Sequence, residues 1–281
     1  MADFGAQDVA ALRKATGAGM MDCKKALQET GGDMEAAKDW LRKKGLAGAA
    51  KRATRTAADG AIAVLVDGGV GVLVEMTCET DFVAKGPDFA GFLDALAAQV
   101  AREGAADVAA QAFEGATVGE SVEALAAKLG ERIELGRVER FEATDSLVDG
   151  YRHVQNGRGT IGVLVEMGGV DPADPRAVEV AHDIALHIAS AAPRFLARDD
   201  VPADALDKER ALLEELTRNE GKPEAQVPKI VEGRLKGFYK DNVLLEQGFV
   251  RDPKTTVASL VESLGKGAEI RRFARVKVGE A

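Results

Sequence analysis

The hexamer Gly-Val-Leu-Val-Glu-Met occurs twice in this chain, at residues 71–76 and again at 162–167. A repeated strand-like segment implies a repeated unit, and the flanking residues agree. Each copy follows another strand candidate: Ala61–Val66 with a turn at Gly68-Gly69, and Ser146–Val154 with a turn at Asn156-Gly157. Each copy precedes an alanine-rich helical stretch, 89–102 in the first case and 176–191 in the second. The pattern predicts an α+β fold whose core is two related subdomains, each a small antiparallel sheet covered by helices.

The remaining segments arrange themselves around that duplication. Residues 1–45 read as a three-helix module. Val9 and Leu12 belong to its first helix, which stops near Gly17. The second runs from about Met21 to Glu29. Asp33 caps the third, with Met34, Ala37, Trp40 and Leu41 at helical spacing. Residues 46–59 form a linker at the end of a basic run that holds Arg42, Lys43, Lys44, Lys51, Arg52 and Arg55 without an acid; a solvated linker or a helix extension is the favoured reading, and an RNA-contacting strip lacks the aromatic interleaving that would support it. The first subdomain is expected over 60–145. Within it Val122, Leu125, Leu129 and Ile133 give residues 121–135 a helical period, and 136–144 read as extended. The second subdomain takes 146–200 and 245–281, ending in a helix over 255–264 and a strand over 270–278. Between its two parts, 201–244 predict an inserted antiparallel coiled-coil hairpin. Leu206, Leu212, Leu213 and Leu216 line one helix, Val227, Ile230, Val231, Leu235 and Phe238 the other, and Gly221-Lys222-Pro223 breaks them apart.

Chemistry is harder to find than architecture. There is no GxxxxGK[ST] phosphate loop, no HExxH and no GxSxG in the sequence. Of the three histidines, His182 and His187 are five apart and point to different faces of a helix, a poor arrangement for one metal. No catalytic residue, metal site or cofactor is expected, and the chain reads as a non-enzyme. A net charge of −9 argues against a general nucleic-acid binder. The N-terminal residues lack the layout of a signal peptide, no apolar run reaches bilayer length, and two cysteines are too few for a disulfide framework. A cytoplasmic protein with free thiols is the expectation.

Thr80-Asp81-Phe82-Val83-Ala84-Lys85 joins the first repeat strand to the next helix. Two readings of Phe82 are open from the residues alone: a core ring closing the sheet onto the helix, or a ring aimed at a partner. Asp81 could likewise serve as a turn cap. Glu75–Lys85, EMTCETDFVAK, resembles a signature of the bacterial elongation factor Ts family, and Leu12–Leu27, LRKATGAGMMDCKKAL, resembles that family's other signature. The resemblance extends from about Leu12 to Gly279. It implies a ubiquitin-associated-like N-terminal module, two related core subdomains and a coiled-coil arm. It also implies a guanine nucleotide exchange factor for the GTPase elongation factor Tu. The Asp81–Phe82 tip would enter the G domain, disturb its magnesium and phosphate site, and promote GDP release so that GTP can bind. Thr80 and Val83 flank the pair at that interface. Met20, Met21 and Lys24 match the loop of the N-terminal module that touches the G domain, though methionines there could also seal a small core. His187, a lone histidine beside an apolar face, reads from the residues as a satisfied structural side chain; it is a secondary candidate only because the resemblance implies a similarly placed histidine near the Asp-Phe pair. No nucleotide is bound by the chain itself. Thr77 departs from the family's usual asparagine, with a turn hydrogen bond in question, and the further C-terminal helix of longer members is not expected. The rivals are an adaptor that binds ubiquitin-like or ribosomal partners through the module, and an enzyme without a visible motif.

Overall fold

The computed structural model describes residues 4–280. The outermost residues of the first and last expected segments, 1–3 and 281, lie outside the described residues, as do the side chains of Leu46, Ala47, Ala49, Ala50 and Lys51. The chain opens with three helices, α1 (Ala6–Thr16), α2 (Met20–Glu29) and α3 (Met34–Arg52). Gly17, at φ 68°, ends α1 in a left-handed conformation that a side chain would resist. Asp33 caps α3, its Oδ1 accepting from the amides of Glu35 and Ala36 at 2.9 and 3.0 Å. Leu12, Cys23, Ala26, Leu27 and Ala37 form a small buried core between the three helices. That core is marginal for so short a segment, and α3 leans on the body of the protein through a later helix, α6. The first part of the basic run continues α3 to Arg52, so helix extension is what the structure selects there.

The first core unit is β1 (Asp59–Asp67), β2 (Val70–Cys78), a short helix α4 (Asp81–Lys85), α5 (Pro87–Glu103), a ribbon of β3 (Ala112–Phe113) and β4 (Ala116–Thr117), α6 (Val118–Leu129) and β5 (Glu134–Glu142). The second is β6 (Leu147–Gln155), β7 (Arg158–Gly168), α7 (Pro175–Ala191), the hairpin α8 (Ala203–Asn219) and α9 (Val227–Asn242), a ribbon of β8 (Gly248–Phe249) and β9 (Asp252–Thr256), α10 (Val257–Glu262) and β10 (Glu269–Lys277). Both sheets are antiparallel, ordered β1-β2-β5 and β10-β7-β6. The fold is α+β, as the repeat requires.

The duplication runs further than the hexamer. In the first unit the amide of Val118 donates to the carbonyl of Gln111 at 2.9 Å; in the second, Val257 donates to Gln247 at 3.0 Å. Both glutamines open a Gln-x-Phe sequence whose phenylalanine, Phe113 or Phe249, is buried. Both following helices carry a threonine N-cap, Thr117 and Thr256. The hairpin α8–α9 is therefore an insertion into the second copy.

Within each hexamer, period-two alternation divides the work. Val72, Val74 and Met76 pack under α5 and α6, and Val163, Val165 and Met167 pack under α7 and α10. The other face of each strand meets the opposing sheet, where Ile62, Leu73, Phe141, Val148, Leu164 and Val276 are buried together. Here the repeat becomes reciprocal. A Cβ on Gly71 would lie 3.1 Å from Leu164 Cδ2 and 2.7 Å from Val148 Cγ1. A Cβ on Gly162 would lie 2.9 Å from Leu73 Cδ1 and 2.6 Å from Ile62 Cγ2. Each copy's glycine is the seat for the other copy's leucine. At the end of the same face the two buried glutamates reach arginines of the outer strands: Glu75 to Arg137 Nε at 3.3 Å, Glu166 to Arg272 Nε at 2.6 Å.

Three expectations need correction. The helical period over 121–135 is interrupted at Gly130 (φ 78°), which ends α6, so Ile133 enters the core from the connection to β5. The stretch 255–264 is strand up to Thr256 before α10 begins. In the hairpin the seam is Leu206, Leu213, Val227, Val231, Leu235 and Tyr239, while Leu212 and Leu216 are exposed. Two helices alone can close only one narrow stripe, and Thr217, its Oγ1 donating to Leu213 O at 2.6 Å, takes the buried place next to Leu216.

Candidate functional site

Asp81–Lys85 forms a five-residue helix between β2 and α5. Val83 packs partly and Ala84 fully into the core under α5, which leaves the opposite side of so short a helix in solvent. Phe82 occupies that side and is 83% exposed. The ring that closes the sheet onto α5 is instead Phe89, which is fully buried. A ring this open adds nothing to the core, and its apolar area is available to be buried against another surface.

Thr80, not Asp81, caps the helix: Thr80 Oγ1 accepts from the amide of Val83 at 3.4 Å. Asp81 lies one residue further on and accepts a hydrogen bond from Lys85 Nζ at 2.5 Å. That bond, with the charges of Lys85 and Arg158, holds the Asp81 carboxyl below the ordinary aspartate range. The tip therefore presents an ionised carboxylate, paired with Lys85, beside an uncovered ring.

The turn beneath the tip is held by residues that local sequence gave no reason to single out. Glu131, just past the end of α6, accepts from the amides of Glu79 and Thr80, both at 3.0 Å, and from Thr80 Oγ1 at 2.6 Å. Glu79 returns the contact by accepting from the amide of Arg132 at 2.6 Å and from Arg55 Nη1 at 3.1 Å. The Arg132 amide, followed by Arg55, keeps the Glu79 carboxyl below its usual range. Arg132 Nη1 donates to the carbonyl of Arg55. The partners from the end of α6, Glu131 and Arg132, stand 51 to 53 positions from Glu79 and Thr80, and the packing of α6 brings them together. Cys78 is buried below the same turn, its Sγ donating to Thr80 O at 3.2 Å. Burial, reinforced by the Glu131 charge, pushes this thiol up to about 12. Thr77 lies inside the strand ladder, opposite Gly60 and Glu134, rather than in the turn.

Arg158, in the β6–β7 hairpin, pairs with Asp59 and donates to Gly60 O, bringing that hairpin against the strand beside the tip. Its neighbour Arg152 faces Asp94 of α5 at 3.8 Å. His153 of this hairpin is exposed, with Nδ1 3.0 Å from Tyr151 Oη. His187 is placed differently. It is 1% exposed, its Nε2 lies 2.9 Å from Gln247 Oε1, and its Nδ1 accepts from the amide of Val250 at 3.2 Å. Burial lowers its pKa below the usual histidine value. His187 thus supports the β8 region from inside and is closed to a partner.

In the N-terminal module Met20 and Met21 are 59% and 73% exposed, and Cys23, Ala26 and Leu27 do the sealing. Met20, Met21 and Lys24 line an open groove with Phe4, Val9 and Lys14. Cys23 is buried as well, so neither thiol reaches the surface. Among the described residues no group of His, Cys, Asp and Glu could hold a metal ion, and no helix is long and apolar enough to cross a membrane.

Comparison with known proteins places these features in context. A family model described as elongation factor TS matches residues 79–280. The elongation factor Ts of Thermobifida fusca is 47% identical over 288 aligned residues, covering all of both chains. That of Renibacterium salmoninarum is 48% identical and covers 99% of this chain and all of its own. That of Mycobacterium tuberculosis is 46% identical over the full length of both.

Proposed function

We propose, from the premise that this chain belongs to the elongation factor Ts family, that it releases GDP from elongation factor Tu by inserting Phe82 into the G domain. The observation that carries this reading is an 83%-exposed ring on a turn whose backbone is held from beneath. The work is binding rather than covalent chemistry, and its setting is the cytoplasm. An exchange factor acts by preferring the nucleotide-free GTPase, since a ligand shifts an equilibrium only by its differential affinity. The coupling is reciprocal, so GDP must weaken the exchange factor as much as the exchange factor weakens GDP.

Phe82 supplies apolar area and shape to the wedge, and Asp81 supplies a negative charge near the partner's magnesium site. Thr80 and Val83 hold the tip to the core. A thousandfold gain in release needs on the order of 4 kcal/mol, whereas burying one phenylalanine contributes roughly 1.5–3 kcal/mol. The remainder comes from a wider footprint. Met20, Met21 and Lys24 provide an adaptable apolar surface with one charge, suited to a partner helix. On the side of the tip, His153 takes the contact role expected of His187, because it is the exposed histidine on the hairpin next to β1.

The test is stopped-flow release of labelled GDP from elongation factor Tu. Phe82→Ala should slow release at least about tenfold, equivalent to roughly 1.4 kcal/mol, with no change in thermal unfolding. Release at the parent rate would sink the wedge.

A further inference from the structure

We infer that Glu131 is a positioning residue for nucleotide exchange, acting through the tip without touching the partner; this rests on the exchange reading above. Its carboxylate takes up three donors of the turn at once: the amides of Glu79 and Thr80 and the Thr80 hydroxyl. The same hydroxyl then caps the helix that carries Phe82. Glu131 thereby sets both where α4 begins and which way it points. Glu79 clamps back onto the Arg132 amide, so the two segments hold each other from both sides.

The molecule contains its own control. In the second core unit Leu264-Gly265-Lys266 stands where the first has Leu129-Gly130-Glu131. Lys266, between α10 and β10, is exposed, and β7, the repeat strand of this unit, leads into α7 without an intervening helix. The carboxylate is present in the copy that has a tip and absent from the copy that lacks one. A core requirement of the shared fold would have been met in both. What Glu131 contributes is pre-organisation: a ring that is already aimed loses less freedom when it enters a partner.

The experiment combines two measurements on the full chain with Glu131→Ala, Phe82→Ala and the double variant. By amide hydrogen exchange in NMR, Glu131→Ala should speed exchange at Glu79 and Thr80 about tenfold or more. In stopped-flow GDP release from elongation factor Tu it should slow the reaction about tenfold, and have no further effect once Phe82 is alanine. Val261→Ala, a core change in α10 of the second unit, measured at a temperature where it remains folded, should leave release unchanged. Glu131→Gln retains one carbonyl acceptor and should lose less; it serves as the same test if the alanine variant does not fold. Unaltered amide exchange overturns the proposal, as does an undiminished effect of Glu131→Ala in the Phe82→Ala background. Equal slowing by Val261→Ala also overturns it. If Phe82→Ala is slow and Glu131→Ala is not, only this proposal fails; if Phe82→Ala is as fast as the parent, the tip reading fails and takes the proposal with it.

Discussion

After β2 the chain caps a five-residue helix with Thr80 and pushes Phe82 into solvent, whereas after β7 it crosses residues 169–173 and enters α7 directly behind an Asp174 cap. The two connections leave equivalent strands of a duplicated unit. On either side of them the copies agree in hexamer, ribbon, threonine cap and outer strand. The connection lies outside the sheet ladder and largely outside the core, so it could diverge without disturbing what the copies share. The extra piece sits where the repeat is least constrained, and the Glu131 carboxylate, just past the end of α6, holds its turn.

The largest expected effect tests whether the shared part is truly reciprocal. Leu73→Ala and Leu164→Ala remove side chains that are fully buried at the same interface from opposite sheets. Each should cost about 2–5 kcal/mol in urea unfolding, and the two losses should match within about 1 kcal/mol. A clear mismatch would mean that the sheets are not equivalent partners.

Gly162→Ala comes next. Its new methyl meets Leu73 and Ile62, so overpacking should cost about 1–3 kcal/mol. The same substitution in a Leu73→Ala background should cost less, because the leucine that obstructs it is gone. Gly71→Ala should be relieved only in part by Leu164→Ala, because Val148 Cγ1, at 2.7 Å, still obstructs the new methyl.

Opposite pH responses should separate the two units further. Cys78 of the first unit stays protonated in the folded protein up to about 12, against 9.0 ordinarily. Between those values only the unfolded chain loses the proton, so stability falls as pH rises, with a slope of at most about 1.4 kcal/mol per pH unit. Cys78→Ala should remove that slope in alkaline unfolding curves. His187 of the second unit has a lowered pKa because burial disfavours its charged form. Its contribution is complete above the usual value and declines as pH falls below 6.5, where the unfolded chain takes up a proton first. His187→Gln should flatten the acid limb, a smaller effect than the alkaline one.

Much of this was legible in the residues. Alternation in GVLVEM marked both central strands, and Gly-containing turns marked their hairpin partners. Asp33 announced the start of α3. The period of Val122, Leu125 and Leu129 was true until Gly130 broke it. Where the reading went astray, spacing had to stand in for partners. Leu212 and Leu216 fit a helical stripe, but a hairpin of two helices has no third surface to cover them. His187 fit the flank of an apolar face, yet Gln247 and Val250 lie over it in space. For Phe82 the local pattern alone favoured the core, and only the resemblance pointed to the surface, where the ring lies.

The sequence by itself determined that there are two related α+β units, where their strands and helices lie, and which short segments carry the family's signatures. Those properties follow from period, turn chemistry and resemblance, all of which are written along the chain. Only the tertiary structure decided that Phe82 is outside and His187 inside, that each repeat's glycine receives the other's leucine, and that Glu131 holds the turn beneath the tip. Exposure and hydrogen bonding depend on what packs against a residue, and here those neighbours come from segments far away in the chain.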